Sequence, residues 1–232
     1  MSEAFARSEA LLGGAAMARL RSARVLVVGV GGVGRWCAEA LARTGVGHVT
    51  LVDDDAVAES NINRQCPATA RTVGCPKVEA MAERLREINP ACEVTPLALR
   101  YPIGQSNNPN NLTIDQFSLV IDAIDSVDSK ARLILDAFAA GVPIVSSMGA
   151  ALRTDPTQVL VTRFEKVEGD GLAKALRNRF RKLGAWPGRF ACVWSAERPA
   201  AVAPGIPKGS VMPVTATFGM CLAATAIKEL TT

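Results

Sequence analysis

The chain has 232 residues, 49% of them hydrophobic and 21% charged, which suits a globular protein of one domain or one domain plus a small appendage. Its formal net charge of +4 permits an anionic partner but does not require one. The N-terminus lacks the apolar run of a signal peptide, and the six cysteines include no C-x-x-C pair. We therefore expect a reduced, cytoplasmic protein.

Apolar strands alternate with helices over the first two thirds of the chain. The patterns predict strands at 24–29, 48–53, 93–99, 118–122 and 142–146, and helices at 34–43, 76–89 and 128–140. Pro96 predicts an edge position or an irregularity for the third strand, and 105–111 is predicted as a polar loop. The spacing predicts parallel βαβ units in a doubly wound, mostly parallel, Rossmann-like α/β sheet.

The pattern changes after about residue 154. Short strands at 158–163 and 190–195 flank a basic helix at 172–183, and an apolar segment at 211–230 ends the chain. We predict a main domain over 1–153 and a small C-terminal α+β extension over 154–232, packed on the same domain. The last segment is long enough to suggest a membrane-attached adaptor. Threonines and the Lys228-Glu229 pair interrupt it, however, which favours a buried closing helix.

A glycine-rich loop follows the first strand and opens a helix. Its glycines are Gly29, Gly31, Gly32 and Gly34. Such glycines let the backbone approach a phosphate closely, and the helix N-terminus adds free amides. Asp53 ends the second strand, where a carboxylate binds a ribose hydroxyl. Taken alone, this pattern is most typical of NAD or FAD, so a redox or noncatalytic dinucleotide-binding protein is an open alternative.

Further motifs follow the loop in a fixed order. They are Asp53-Asp54-Asp55, Ser60-Asn61-Ile-Asn-Arg64-Gln65, a lysine at a helix start (Lys77), and Asp122-Ala-Ile-Asp125 after the fourth strand. Over residues 25–150 this order resembles the adenylating family of ubiquitin-activating enzymes and of the adenylyltransferases of molybdopterin and thiamine biosynthesis. The resemblance implies an enzyme that activates a carboxylate with ATP.

The resemblance also implies residue roles. Arg64, Lys77 and Asp125 would be catalytic: the two cations offset charge on the phosphates, and Asp125 holds Mg²⁺. The ATP-binding set would be Gly29, Gly31, Gly32, Gly34, Asp53, Asp55, Asn61, Arg64, Gln65, Lys77 and Asp125, with Arg7 reaching the ATP of a neighbouring subunit in a homodimer. A monovalent cation is an open addition to the cofactors.

Each of these roles has a plainer alternative. Lys77 is also readable as a solvated helix-start residue, Arg64 as a surface ion-pair partner and Asn61 as a turn cap. The run of three aspartates leaves open the direction in which the Asp55 side chain points. Arg19 and Arg21 compete with Arg7 for the role in the neighbouring subunit.

Other segments point to one branch of the family. They are 40–47, 61–65, 88–90, 120–126, 155–157 and 214–219, and they resemble tRNA threonylcarbamoyladenosine dehydratases. That resemblance implies adenylation of the threonyl carboxylate and ring closure by the substrate's own carbamoyl group. Without C-x-x-C pairs no zinc is expected. The alternative is an adenylyltransferase for the C-terminal carboxylate of a ubiquitin-like or sulfur-carrier protein; any sulfur or redox partner stays unidentified.

The basic helix is the candidate tRNA surface. Its cations are Lys174, Arg177, Arg179, Arg181 and Lys182, and each is able to meet a phosphate. A solvated charged face is the alternative. Trp186 and Trp194 suit base stacking, although core packing is favoured for both. Relatives carry a cysteine shortly before the segment at 214–219, and this chain has none there. Cys192 is read as an ordinary buried strand cysteine.

Overall fold

The computed structural model describes residues 3–102, 112–203, 205–206 and 208–232. Within these ranges a single mixed sheet forms the centre of the fold. The polar loop expected at 105–111 lies outside the described residues.

Seven strands form the sheet, in the order β3-β2-β1-β4-β5-β7-β6. Their bounds are β1 Arg24–Val28, β2 His48–Val52, β3 Glu93–Leu97, β4 Leu119–Asp122, β5 Ile144–Ser147, β6 Val159–Arg163 and β7 Ala191–Ser195. Neighbours pair in parallel except β6, which is antiparallel to β7. The doubly wound, mostly parallel sheet predicted from the sequence is confirmed, and β3 with Pro96 lies at its edge.

In the part of the chain that the structure describes, seven α-helices surround the sheet. They are α1 Ala6–Leu12, α2 Gly14–Ser22, α3 Gly34–Thr44, α4 Lys77–Ile88, α5 Val127–Ala139, α6 Gly171–Leu183 and α7 Met212–Thr231. One core joins α2, α3, α4 and α7 to one face of the sheet, and a second core joins α5 and α6 to the other face. β1 contributes Val25 and Val27 to the first core and Leu26 and Val28 to the second. Burial on both faces explains its continuous apolar sequence.

The N-terminal helices α1 and α2 were not predicted. Gly13, with a φ of 85°, separates them. Because α2 has a weak apolar periodicity, the burial of Met17 and Leu20 against the first core depends on tertiary packing.

The closing helix α7 packs against α3. Its buried residues confirm the buried closing helix that the sequence predicted. The contact is close because Gly219 lacks a side chain: a Cβ there would lie 2.5 Å from the Cβ of Trp36. No helix among the described residues combines the length and the apolar character that a membrane span requires. β6 and β7 extend the same sheet, so residues beyond 153 share its core. The division at residue 153 stays a prediction.

Candidate active site

A cavity of about 900 Å³ lies at the carboxyl ends of the parallel strands. It opens between β1 and β4, which are neighbours in the sheet. The helix that follows β1 packs on one face of the sheet, and the helix that follows β4 packs on the other. Because the connections after β1 and β4 lead to opposite faces of the sheet, the two loops separate. The gap between them is the crevice in which doubly wound proteins bind ligands.

The glycine loop after β1 forms one wall of the cavity. Gly29, Gly31 and Gly32 line it, whereas Gly34 does not. Gly29 has a φ of 91°, and a Cβ there would lie 2.6 Å from the backbone of Ala123. A Cβ at Gly34 would lie 1.9 Å from the carbonyl oxygen of Gly29. Gly34 is therefore needed for close packing of helix against loop, and its contact with ATP stays a prediction.

Asp53 ties the glycine loop to the end of β2. Its Oδ2 accepts a hydrogen bond from the amide of Val30 at 2.6 Å, and its Oδ1 accepts one from the amide of Asp55 at 2.9 Å. Lys77 Nζ lies 3.8 Å from Asp53 Oδ1 and forms an ion pair with Asp55 Oδ2. The side chain of Lys77 is buried, so the interpretation of Lys77 as a solvated helix-start residue is wrong.

Arg64 lies beside the glycine loop, in the turn that follows a short 3-10 helix at Glu59–Asn61. Its stem lies 3.5 Å from where a Gly32 Cβ would stand. Its Nη1 donates to the Ser60 carbonyl and to Asn63 Oδ1, both at 2.8 Å. The carbonyl oxygen of Arg64 accepts from Trp36 Nε1 at 3.2 Å, which links it to α3.

Asn61 and Gln65 are both buried and both line the cavity. Asn61 Oδ1 accepts from the amide of Ala58 at 3.1 Å, so this side chain caps a turn, as its plainer interpretation predicted. The Oε1 atom of Gln65 has no hydrogen-bond partner among the described residues. Since buried polar atoms are normally paired, the unpaired Oε1 of Gln65 is available to accept a hydrogen bond from a ligand.

Asp125 is exposed in the loop after β4 and faces the cavity. Three fully buried side chains, those of Asp122, Lys130 and Ser146, hold the start of this loop. Lys130 Nζ lies 2.6 Å from Asp122 Oδ2, and Ser146 Oγ donates to the same oxygen at 2.6 Å. The other oxygen of Asp122 accepts from the amide of Ile124 at 3.1 Å. These contacts fix the end of β4 at Asp122, close in the chain to Asp125.

The pair of Asp122 and Lys130 was missed as a unit by sequence reasoning, although a signal was present. Lys130 occupies the same face of α5 as Leu133, Ile134 and Ala137, all fully buried. A lysine in the apolar stripe of a helix predicts a buried partner of opposite charge.

The far half of the cavity is formed by residues that the sequence did not identify. They include Gly149–Arg153 after β5, Asp170–Leu172 at the start of α6, and Lys208 and Ser210. Arg153 is buried, pairs with Asp170 at 3.2 Å and donates to the Gly149 carbonyl at 2.5 Å. Leu152 has a φ of 65°, a conformation rare for a branched side chain. This wall comes from chain segments far from the glycine loop in sequence, and the pair of Arg153 and Asp170 joins two of them.

A family model described as the ThiF family matches residues 5–232. The chain belongs to the ThiF family. The tRNA threonylcarbamoyladenosine dehydratase of Bacillus subtilis is 40% identical, with 87% of this chain and 78% of the relative covered. The enzyme of the same name from Escherichia coli is 38% identical, with 97% and 92% covered. The E. coli dehydratase solved in complex with ATP has a TM-score of 0.86 at 40% identity, with 98% of this chain and 93% of that chain covered.

The ThiF-family cavity brings together most of the predicted ATP-binding residues. Those that line it are Gly29, Gly31, Gly32, Asp53, Asp55, Asn61, Arg64, Gln65, Lys77 and Asp125. Arg7 is exposed on α1 and does not line the cavity of its own chain. The carboxylates of Asp53, Asp54 and Asp55 have ligand atoms within 4.8 Å of one another. The individual roles of these residues stay predictions.

The basic helix α6 of this ThiF-family chain divides into two sets of cations. Lys174, Arg181 and Lys182 are exposed. Arg177 instead donates to the carbonyls of Phe164 and Val167 at 2.9 and 2.6 Å, and Arg179 pairs with Asp128 at 2.7 Å. Arg177 and Arg179 therefore have partners within the chain, whereas the other three cations are exposed. The contact of these five cations with tRNA phosphates stays a prediction.

The aromatic and cysteine expectations were partly correct. Trp194 is buried and donates to Thr162 Oγ1 at 2.9 Å, as core packing predicted. Trp186 is 53% exposed and thus not buried, although its ring packs edge-on against the buried Phe180 with ring centroids 5.7 Å apart. Cys192 is fully buried, and burial raises the pKa of its thiol. It therefore stays protonated, which confirms its interpretation as an ordinary strand cysteine.

Proposed function

We propose that this chain is an ATP-dependent tRNA threonylcarbamoyladenosine dehydratase. The observation that carries the proposal is the single cavity that joins a glycine loop, a buried lysine and an arginine to a second, separately built wall at Gly149–Arg153. One half has the amides and cations that a triphosphate needs. The other half leaves room for the acceptor beside it. The two dehydratases at 38% and 40% identity support the same assignment.

The reaction follows from that arrangement. An oxygen of the threonyl carboxylate attacks the α-phosphorus of ATP, and pyrophosphate leaves. The carbamoyl group of the same nucleoside then attacks the activated carbonyl carbon, and AMP leaves with one carboxyl oxygen. The substrate has lost one water overall. Because the nucleophile belongs to the substrate, its effective concentration is high and no enzyme thiol is required.

The residues divide this work between holding ATP and offsetting charge. Lys77 and Arg64 counter the negative charge that builds on the phosphoryl oxygens, within a partly enclosed site where such charges act strongly. Asp125 and the Asp53–Asp55 cluster offer carboxylate oxygens, the ligands that Mg²⁺ prefers. A bound Mg²⁺ would screen charge between phosphate oxygens. Asp53 is the candidate for the ribose hydroxyls.

We extend the proposal to the partners. Lys174, Arg181 and Lys182 on α6 would meet tRNA phosphates, since this helix begins at the cavity and leads away from it. Arg7 would act in the active site of the partner within a homodimer, as the family resemblance implies; it is exposed on α1. A tRNA substrate is consistent with a cytoplasmic enzyme.

Nucleoside mass spectrometry of tRNA incubated with the protein and ATP tests this function. We expect threonylcarbamoyladenosine to lose one water with the wild type and not with Lys77→Ala. Pyrophosphate exchange supplies the comparison with a protein-activating enzyme. Stimulation by threonylcarbamoyl-tRNA supports the dehydratase, whereas stimulation by a carrier protein alone would overturn it and leave adenylation intact.

A further inference from the structure

Arg35 is a buried cation directly beneath the glycine loop. It is the second residue of α3 and is fully buried. Its Nε donates to the carbonyl oxygen of Val30 at 2.5 Å. Its Nη1 and Nη2 atoms are also buried, and neither has a hydrogen-bond partner among the described residues. A guanidinium with two unpaired nitrogens is an unusual and unfavourable group to bury, so its presence needs an explanation.

The contacts of Val30 give the first part of that explanation. The amide of Val30 donates to Asp53 Oδ2 at 2.6 Å, while its carbonyl accepts from Arg35. Val30 is buried and does not line the cavity, whereas Gly31 and Gly32, which follow it, do. Arg35 therefore holds the Val30 carbonyl away from the cavity. A carbonyl oxygen turned towards a phosphate would repel it, and this hydrogen bond opposes that orientation.

The positive charge of Arg35 gives the second part of the explanation for its burial. Burial lowers the pKa of its guanidinium to about 10, opposed by the nearby Cys66 and Asp53. Arg35 therefore stays charged at neutral pH. Its position places a fixed positive charge behind the loop that faces the ligand. A preorganised charge of this kind favours an anion more strongly in a partly buried site than in water.

We propose that Arg35 is a positioning residue for the triphosphate of ATP, acting through the glycine loop without touching the nucleotide. The proposal rests on ATP being the ligand of this cavity. It assigns Arg35 two effects, a hydrogen bond that orients Val30 and a positive charge that is offset when the triphosphate binds. Neither effect follows from the glycine pattern, which would be complete with another residue at position 35.

Matched substitutions separate this role from simple packing. Arg35→Met keeps the aliphatic stem and removes both the charge and the donor. Arg35→Gln keeps a donor without the charge, and Arg35→Lys keeps the charge. Arg43→Met is the control, because Arg43 lies on the same helix, is 56% exposed and pairs with Glu39 away from the cavity.

The readout is the dissociation constant of ATP, ADP and AMP, measured by calorimetry, with the melting temperature of the nucleotide-free protein measured in parallel. For Arg35→Met and Arg35→Gln we expect the loss of affinity to grow with phosphate charge, to about tenfold for ATP and about threefold or less for AMP. Arg35→Lys should retain most of the ATP preference, and Arg43→Met should match the wild type.

Three outcomes would overturn the proposal. The first is unchanged ATP affinity in Arg35→Met or Arg35→Gln. The second is an equal loss for ATP and AMP accompanied by a lower melting temperature, which would mean a packing role alone. The third is a wild type that binds none of the three nucleotides, which would also overturn the proposed function. If Arg35→Met fails to fold, Arg35→Gln and Arg35→Lys still test the proposal, because the first keeps a donor without the charge and the second keeps the charge.

Discussion

Removing the cation of the buried pair formed by Asp122 and Lys130 tests how the fold supports the loop that carries Asp125. The perturbation is Lys130→Met, which keeps most of the aliphatic stem in the apolar stripe of α5. In the wild type, Lys130 Nζ lies 2.6 Å from Asp122 Oδ2, and both side chains are fully buried. At this distance and an effective dielectric constant of about 20, the attraction is about 6 kcal/mol.

That attraction is not the net contribution of the pair, because burying each ion costs several kcal/mol. In Lys130→Met the cost for Asp122 remains and the attraction is gone. Hydrogen bonds from Ser146 and the Ile124 amide offset only part of the cost of burying the Asp122 carboxylate. We therefore expect a loss of about 3–5 kcal/mol in the free energy of unfolding. For a chain of this size, that corresponds to a melting temperature lower by about 6–20 °C.

Urea unfolding of a double-mutant cycle provides the assay. Asp122→Asn alone should also be destabilising, because it leaves Lys130 without its carboxylate. The double variant should be less destabilised than the sum of the two single variants, by at least about 2 kcal/mol. A loss below about 1 kcal/mol for Lys130→Met, or additive single effects, would refute the claim that this pair is coupled and fixes the loop.

Three further predictions concern the site and its surroundings. Lys77→Ala should lower pyrophosphate exchange by about 100-fold or more with an unchanged circular dichroism spectrum, because it removes charge from the phosphates; near-normal exchange would contradict its role. Hydrogen bonds from Arg84 and Arg43 outweigh burial and lower the pKa of Glu39. Glu39→Gln should therefore lower the free energy of unfolding by about 1–3 kcal/mol at pH 7. In denaturant titrations the difference should shrink as the pH falls through the lowered pKa; a difference independent of pH down to about 3 would count against it. Lys182→Ala should reduce the salt slope of tRNA binding by about one, whereas Arg177→Ala should lower stability instead.

Much of the fold was predictable because local sequence patterns reflect local burial. The uninterrupted apolar run at β1 predicted a strand buried on both faces, and it lies in the middle of the sheet between β2 and β4. Pro96 predicted an edge because it has no amide to donate, and β3 is at the edge. The order of the glycine loop, Arg64, Lys77 and Asp125 predicted one site, since parallel strands bring their carboxyl ends to one side of the sheet.

Other features depended on contacts between distant parts of the chain. Arg177 and Arg179 have the same sequence signature as Lys174 and Lys182, yet neighbouring carbonyls and Asp128 occupy them. Trp186 and Trp194 are eight residues apart on the printed sequence, and only packing decided which of them is exposed. The far wall at Gly149–Arg153 carries no motif that sequence reasoning recognised.

The sequence by itself determined the α/β class, the order of strands and helices from β1 onwards and the chemistry gathered at the glycine loop. These depend on residue type and spacing, which the backbone converts directly into periodic structure. Only the tertiary structure decided that Asp122 and Lys130 are a buried pair and that Arg35, bonded to the Val30 carbonyl, has two nitrogens with no partner among the described residues. The physical reason is that the energy of a charge depends on which groups surround it in space, and residues distant in sequence supply those groups.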